Sequence, residues 1–583
     1  MIKKNFILSS SCLISLLMMT GCSAGSSSSS SLSVSSETSS SSSLVLPEDD
    51  KTKPASTSLE YTDYAESVDD SYNESKWYRN DLKDKNLPDP FVLNNGDGTY
   101  YLFGTTDRTG AMCFDCYSTT DFINFELHTN VYTPSSKGWA KTAFFAPEVY
   151  KFGDTYYLYY SANNSSGKRY LNIATSDSPA GPYQDYVGND ADGNAVNYLT
   201  TPFLTENNNE YKTELGPLDQ TLLVDGDDIY LYYSIYDDQI TKSQYIVGMK
   251  MKDPVTADYD TYTKLIVPGV ATPDTAQLEP NEIYRWEVYT SNLKVCEGPC
   301  VIKSPVNGKY YITYSVNHYD NVYYSVCYAE SDSPLGNYVK PYTKGQSWTN
   351  LLFGYGGGMK GTTVYNQWAG FMAGTGHHSI FKVGDEYMIV YHAYTNRGSS
   401  DFYGRRVAFD HVYFDKTTGV PYTHGPSYSL EPLPVEVSGY QNIALNATVL
   451  TDNVTNPEYI NDNYIVEHYN LKQEADKEVT LNKGTSYIEL QFDKEYSVGG
   501  LSVYNSAFYD KYQSDISFIN FFNGNAIMDT AFPTRYLNDE KSFIYPDSAF
   551  TYDFDDIKAT KVIIGFNNLD AAKAINEIAV FGY

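Results

Sequence analysis

The sequence predicts an all-β chain, a five-bladed β-propeller followed by a jelly-roll β-sandwich, and three features of its 583 residues carry that prediction. A Gly/Asp turn leading into an aromatic-rich strand recurs five times, at 98–104, 153–161, 227–234, 308–315 and 384–392. A strand bearing an ionisable residue precedes each copy. After Leu430-Glu431-Pro432-Leu433-Pro434 the phrase stops, and a differently patterned β-rich stretch runs to Tyr583.

The repeated strands read Tyr156-Tyr157-Leu158-Tyr159-Tyr160-Ser161 or Tyr230-Leu231-Tyr232-Tyr233-Ser234. Tyrosine favours strands and also stacks on sugar rings. Units spaced by roughly 55 to 80 residues, each opening on a hairpin turn, suit radial blades rather than a solenoid, whose periods are shorter. The preceding strands carry Asp89, Glu148, Asp219, Glu297 and His377, with Gly or Pro close by in most of them. If these are the innermost strands, the five groups are in phase and converge on the propeller axis.

The expected domains are a signal at 1–22, a tether at 23–60, the propeller at 76–432 and the sandwich at 440–583. Lys3 and Lys4 precede an apolar run from Phe6 to Met19 that is too short to span a bilayer, so it reads as an export signal. Thr20-Gly21-Cys22 resembles a lipobox, with Met19 where Leu is usual; it implies lipidation at Cys22 and a membrane-anchored protein on a bacterial surface. The Ser-rich stretch that follows holds too little apolar area to offset the entropy of ordering.

Composition narrows the partners. A formal net charge of −31 repels phosphate backbones and anionic lipid heads, so nucleic acid is excluded and the membrane is reached through the lipid alone. Of seven cysteines, Cys12 leaves with the signal and Cys22 carries lipid. Cys113 and Cys116 form a C-x-x-C without a second pair for zinc, and are read as ordinary strand residues. No organic cofactor is expected, and the sequence says nothing of oligomeric state.

Several carboxylates crowded into one cavity cannot all ionise, so some hold a proton near neutral pH while others stay charged. Glycoside hydrolysis needs that split: an acid for the leaving oxygen and a carboxylate to activate water or attack the sugar. A hydrolytic metal centre would place its ligands closer in sequence, and no H-x-x-x-H or Asp-x-Asp pair occurs among these groups.

Asp89-Pro90-Phe91, Phe145-Ala146-Pro147-Glu148, the Asp219 strand leading into Val224-Asp225-Gly226, Glu297-Gly298-Pro299, Ala329-Glu330-Ser331-Asp332 and Gly374-Thr375-Gly376-His377 together resemble glycoside hydrolase family 43 over about residues 86 to 425. The resemblance implies an inverting enzyme with Asp89 as general base, Glu297 as general acid and Asp219 tuning and orienting the acid. It implies that His377 contacts a central water or a structural calcium ion on the axis. Arg405, or Arg406 in the neighbouring register, corresponds to the family's sugar-binding arginine. Trp139 and Phe145 are candidates to stack on a sugar, and Glu148 to bind it; a buried structural aromatic is the alternative for the first two. Phe145 stands where the family often has Trp, and Gln220 where Pro is frequent.

The implied substrates are arabinose- or xylose-containing plant polysaccharides or oligosaccharides, cut in the manner of an α-L-arabinofuranosidase or β-xylosidase. An endo-arabinanase or galactan-cleaving enzyme is the alternative, set by insertions such as Asp192 to Lys212 and Thr272 to Val288. A non-catalytic carbohydrate-binding lipoprotein is the alternative of another class. In the C-terminal stretch, Asn442-Ile443-Ala444-Leu445, Ile460-Asn461-Asp462 and Ile575-Asn576-Glu577-Ile578-Ala579-Val580 resemble discoidin-like sandwiches, some of which bind sugars.

Overall fold

The computed structural model describes residues 72–80, 86–106, 112–204, 216–237, 243–271, 284–288, 294–319, 323–343, 348–354, 373–394, 404–427, 430–465, 477–506, 516–531 and 549–583. The signal, Cys22 and the 23–60 tether lie outside them, as do parts of both insertions.

Among the described residues, five antiparallel units of four strands follow one another along the chain. Their innermost strands are Phe91–Asn94, Thr142–Phe152, Leu218–Asp225, Lys294–Lys303 and Ala373–Val383. The aromatic phrases form the second strands, Tyr100–Phe103, Thr155–Asn163, Asp228–Asp237, Tyr310–Val316 and Glu386–Tyr394. Blades three and four join through a short parallel pairing, Ser243 with Lys294 and Gln244 with Val295.

The runs of consecutive large residues in the second strands follow from this geometry. Successive side chains of a strand point to opposite faces, and both faces of a propeller blade are covered by neighbours. Leu158 and Tyr160 enter the core shared with blade one, while Tyr159 between them enters the core shared with blade three. Tyr232 joins the core between blades three and four, and Tyr311 the next. Val92 and Leu102 of blade one pack with Val390 and Phe409 of blade five, which closes the ring. The backbone closes it too: the Leu87 N–H donates to the Arg405 carbonyl at 3.1 Å.

The innermost strands share a local irregularity. In blades two to five the register against the second strand advances three residues for two, between Phe145 and Glu148, Leu218 and Thr221, Glu297 and Cys300, and Gly376 and Ser379. Such a β-bulge re-aims side chains at a strand end. Each bulge contains a residue in the left-handed region: Ala146, Asp219, Gly298 and His377, matched in blade one by Asp89.

This corrects the expected fivefold series. Asp89, Asp219 and His377 are equivalent, but Ala146 and Gly298 hold that position in the other two blades. Glu148 stands two residues later and Glu297 one residue earlier. The bulge adds a residue that motif spacing does not reveal, so three neighbouring positions look like one when read from sequence.

The C-terminal unit is a nine-stranded antiparallel arrangement dominated by two long strands, Gly484–Asn505 and Ala549–Leu569. Both carry register shifts near their middles. Their halves pair with different partners, so they bend around one core of residues such as Leu490, Val562 and Ile578. The short strand Trp77–Tyr78 ties this unit to the propeller by pairing with Glu431–Pro432. Trp77 fills the space at Gly500, where an added Cβ would lie 2.0 Å from its ring. Lys76, nearly buried, donates to the carbonyls of Gly499 and Phe554 at 2.8 Å each and pairs with Asp553.

Between blades three and four a buried ion pair anchors the 3₁₀ turn Arg285–Val288. Glu287 meets Lys340 at 2.5 Å with side-chain exposures of 0% and 1%, and also accepts from Gly269 N, Tyr314 Oη and Asn350 Nδ2. Removing one partner of a buried pair strands the other charge. Lys340→Met is therefore expected to cost about 3–5 kcal/mol of stability, read by thermal or denaturant unfolding; a loss within about 0.5 kcal/mol, typical of an exposed site, would contradict it.

Candidate active site

The bulges of blades three to five deliver Asp219, Glu297 and His377 to one place, the turn before the inner strand of blade one adds Asp89, and the third strand of blade five adds Arg405. Arg405 Nη1 lies 2.8 Å from Asp89 Oδ1, and Thr105 Oγ1 donates to Asp89 Oδ2 at 2.6 Å. His377 Nδ1 is 3.2 Å from Asp89 Oδ1 and 3.9 Å from Asp219 Oδ2, so the imidazole sits between the two carboxylates. The Gly298 N–H donates to Asp219 Oδ2 at 3.3 Å. A Cβ at position 298 would press on the His377 ring at 3.3–3.4 Å, and φ there is +53°, so the glycine is required twice over.

In three of the five blades a residue at or just after the end of the aromatic phrase holds the backbone at the next blade's inner strand. Thr105 Oγ1 accepts from Ala146 N at 2.9 Å, Ser315 Oγ from His377 N at 2.8 Å, and His392 Nδ1 from Asp89 N at 3.4 Å. Since that nitrogen accepts, it carries no proton; burial keeps the His392 imidazole neutral, with its pKa well below the usual value.

The three carboxylates are driven apart electrostatically. Burial alone would raise the pKa of Asp89, but Arg405, His377 and the Thr105 hydrogen bond outweigh it and hold the group well below the carboxylate range. Asp219 is pushed up to about 7, first by burial and then by the Asp89 charge, with Arg169 acting against both. Glu297 is also raised, by burial and then by Asp219. Its Oε1 accepts from Tyr324 Oη at 2.9 Å and its Oε2 from Gln244 Nε2 at 2.8 Å. The pairing of Gln244 with Val295 sets the amide beside Glu297.

The raised Asp219 gives a stability test. The folded chain keeps a proton that the unfolded chain releases above about pH 4, so this site costs stability as pH rises from there through about 7. Asn cannot ionise and tolerates the left-handed backbone at φ 55°. The Tm of Asp219→Asn relative to wild type is expected to climb by about 2–6 °C between pH 5 and pH 8; a difference independent of pH would refute the shift.

The other expected residues fall around this centre. Glu148 is pushed up to about 8 by burial; its carboxylate accepts from Tyr150 Oη, whose oxygen lies 3.1 Å from Thr221 Oγ1. Phe145 lies under the Arg169 guanidinium, 5.2 Å from ring to charge. Trp139 is half-buried; its indole N–H donates to the Tyr198 carbonyl at 3.0 Å, and its ring meets Tyr170 edge-on. Of the two arginine registers it is Arg405 that meets Asp89, while the Arg406 guanidinium folds against Gly404. Cys116 is a buried strand residue, and Cys113 is a buried bend residue just before that strand.

Sequence reading missed Arg169, Gln244, Tyr324, His392, Thr105 and Tyr319. Tyr319 is 42% exposed, with the Arg405 guanidinium 4.9 Å from its ring centre, an aromatic surface beside the site. Thr105 and His392 had a signal, the polar residue closing each phrase. The other four lie outside the repeats and had none.

Calcium takes about six to eight oxygen ligands, waters among them, so the side chains gathered here would supply only part of its shell. His377 offers a nitrogen turned toward Asp89, and among the described residues no group of three or more His, Cys, Asp or Glu could hold a metal. The chemistry derived from these residues contains no calcium.

A propeller whose inner strands bring one carboxyl held below the usual range together with two raised above it has the groups that glycoside hydrolysis needs. The chain belongs to glycosyl hydrolases family 43, whose family model matches residues 78–418. Solved structures similar to it include a thermostable family-43 glycoside hydrolase, at 24% identity over 61% of this chain and 99% of that one, TM-score 0.48. An endo-1,4-beta-xylanase from Bacteroides thetaiotaomicron is 26% identical over 60% of this chain and 97% of its own, TM-score 0.44. An alpha-L-arabinofuranosidase from Lactobacillus brevis is 19% identical over 59% and 95%, TM-score 0.42. No curated protein matches the chain significantly.

Proposed function

We propose that this glycosidase inverts the anomeric centre of arabinose- or xylose-bearing plant polysaccharides or oligosaccharides, with Asp89 as base and Glu297 as acid. The observation that carries the reading is the opposed electrostatics of the two. Asp89 is held ionised by Arg405 and Thr105, as a base that activates water must be. Glu297, raised by burial and by Asp219, keeps a proton for the leaving oxygen. Asp219 acts on the acid through charge: once ionised, it makes ionisation of Glu297 harder. Arg405 and Tyr319 lie where a sugar entering beside Asp89 would meet them.

The pentose preference is supported by the names of the similar xylanase and arabinofuranosidase alone. An endo-acting arabinanase is the second reading, after the similar endo-arabinase from Bacteroides thetaiotaomicron. The same proposal includes attachment to a bacterial surface through a lipidated Cys22 and a discoidin-like, sugar-binding role for the C-terminal unit.

The test is a panel: aryl α-L-arabinofuranosides, β-D-xylosides and galactosides, with arabinan, xylan and galactan, and the product anomer followed by NMR. Release of pentose with inversion is expected. A retained anomer would remove Asp89 from the role of base, and hexose release alone would remove the pentose assignment.

A further inference from the structure

The acid and the base are joined beneath the site by a stacked pair of rings. Tyr324, fully buried, precedes the third strand of blade four, and its hydroxyl donates to Glu297 Oε1. Its ring lies nearly parallel to His392, 12° apart with centroids at 5.6 Å. His392 in turn accepts the backbone N–H of Asp89.

Room for the tyrosine comes from blade five. Gly376 holds the bulge position that Glu297 holds in blade four and Phe145 in blade two. A Cβ there would lie 2.4 Å from Tyr324 Cε1. The side chain missing from one blade is the space in which the tyrosine of its neighbour lies.

We infer that Tyr324 and Gln244 are positioning residues that hold the acid's carboxyl ready for the charge it acquires, with the Tyr324–His392 stack fixing acid and base against each other. This rests on the assignment of Glu297 as general acid. As the C–O bond breaks, the Glu297 proton passes to the leaving oxygen and the electron pair of the O–H bond stays on the carboxylate. Tyr324 and Gln244 already place one donor on each carboxylate oxygen, so no reorganisation is needed when the charge forms. A donor that favours the charged form acts on kcat more than on KM.

The experiment compares Tyr324→Phe, which keeps the stacked ring, and Gln244→Met with Glu297→Ala in the full-length enzyme. Substrates are methyl and 2,4-dinitrophenyl glycosides of the pentose found by the panel; the dinitrophenolate leaves without a proton. Each positioning variant is expected to lower kcat on the methyl glycoside by about 10- to 100-fold, the size of a charged hydrogen bond. KM and turnover of the dinitrophenyl glycoside should stay within about threefold, the size of a sub-kcal effect.

Losing a donor to the charged form also raises the acid's pKa, so the alkaline limb of the methyl-glycoside profile should move to higher pH. Equal losses on both substrates in both variants, or a rise in KM alone, would overturn the inference. If Glu297→Ala itself shows no leaving-group dependence, the acid assignment fails instead.

Discussion

Asp89→Asn is expected to lower kcat/KM by about 10³- to 10⁴-fold, the upper range for removing a general base, while the protein stays folded. Asparagine accepts the left-handed backbone that position 89 requires at φ 57°, and its amide can still receive the Thr105 hydroxyl. It loses the charge that Arg405 and His377 stabilise and the oxygen lone pair that takes a proton from water. Added azide, which needs no base, should restore turnover and give a glycosyl azide of inverted configuration. A variant within tenfold of wild type, with its Tm unchanged, would end the assignment of Asp89.

Glu297→Ala carries the second large effect, and its signature is selectivity rather than size alone. A sugar alkoxide leaves slowly unless protonated, so turnover of methyl glycosides or oligosaccharides should fall by about 10²- to 10⁴-fold. Dinitrophenyl glycosides should lose no more than about tenfold, since their leaving group is stable as an anion. With Glu297 as the acid, its raised pKa should place the alkaline limb of the wild-type profile on this residue, activity falling with pH as the acid gives up its proton. That limb should vanish in the variant on activated substrates. A uniform loss across leaving groups would show that Glu297 serves the fold or binding instead.

The five inner strands and five aromatic phrases were legible because a propeller repeats one unit, and burial of both blade faces writes each phrase as an uninterrupted apolar run such as Tyr157-Leu158-Tyr159-Tyr160. Asp89, Asp219, Glu297 and His377 were legible because Pro and Gly mark the inner strand ends; Arg405 was reached only through the family resemblance, which left its register open. Phase was not: reading Glu148 as equivalent to Asp89 missed the extra residue, since motif spacing cannot tell a bulge from a straight strand.

Taken alone, the sequence determined the kind of molecule: repeated blades, acids at their inner ends, and a strongly acidic chain. These are local or periodic properties, carried by neighbouring residues and by copies of one pattern. The tertiary structure decided which carboxyl is held low and which two are raised. That choice depends on Arg405 reaching back to Asp89 across the ring closure, on the Arg169 charge acting on both Asp219 and Glu297, and on Tyr324 entering the gap left at Gly376. Electrostatic energies depend on distance in space and on burial, and residues hundreds of positions apart acquire both only when the ring closes.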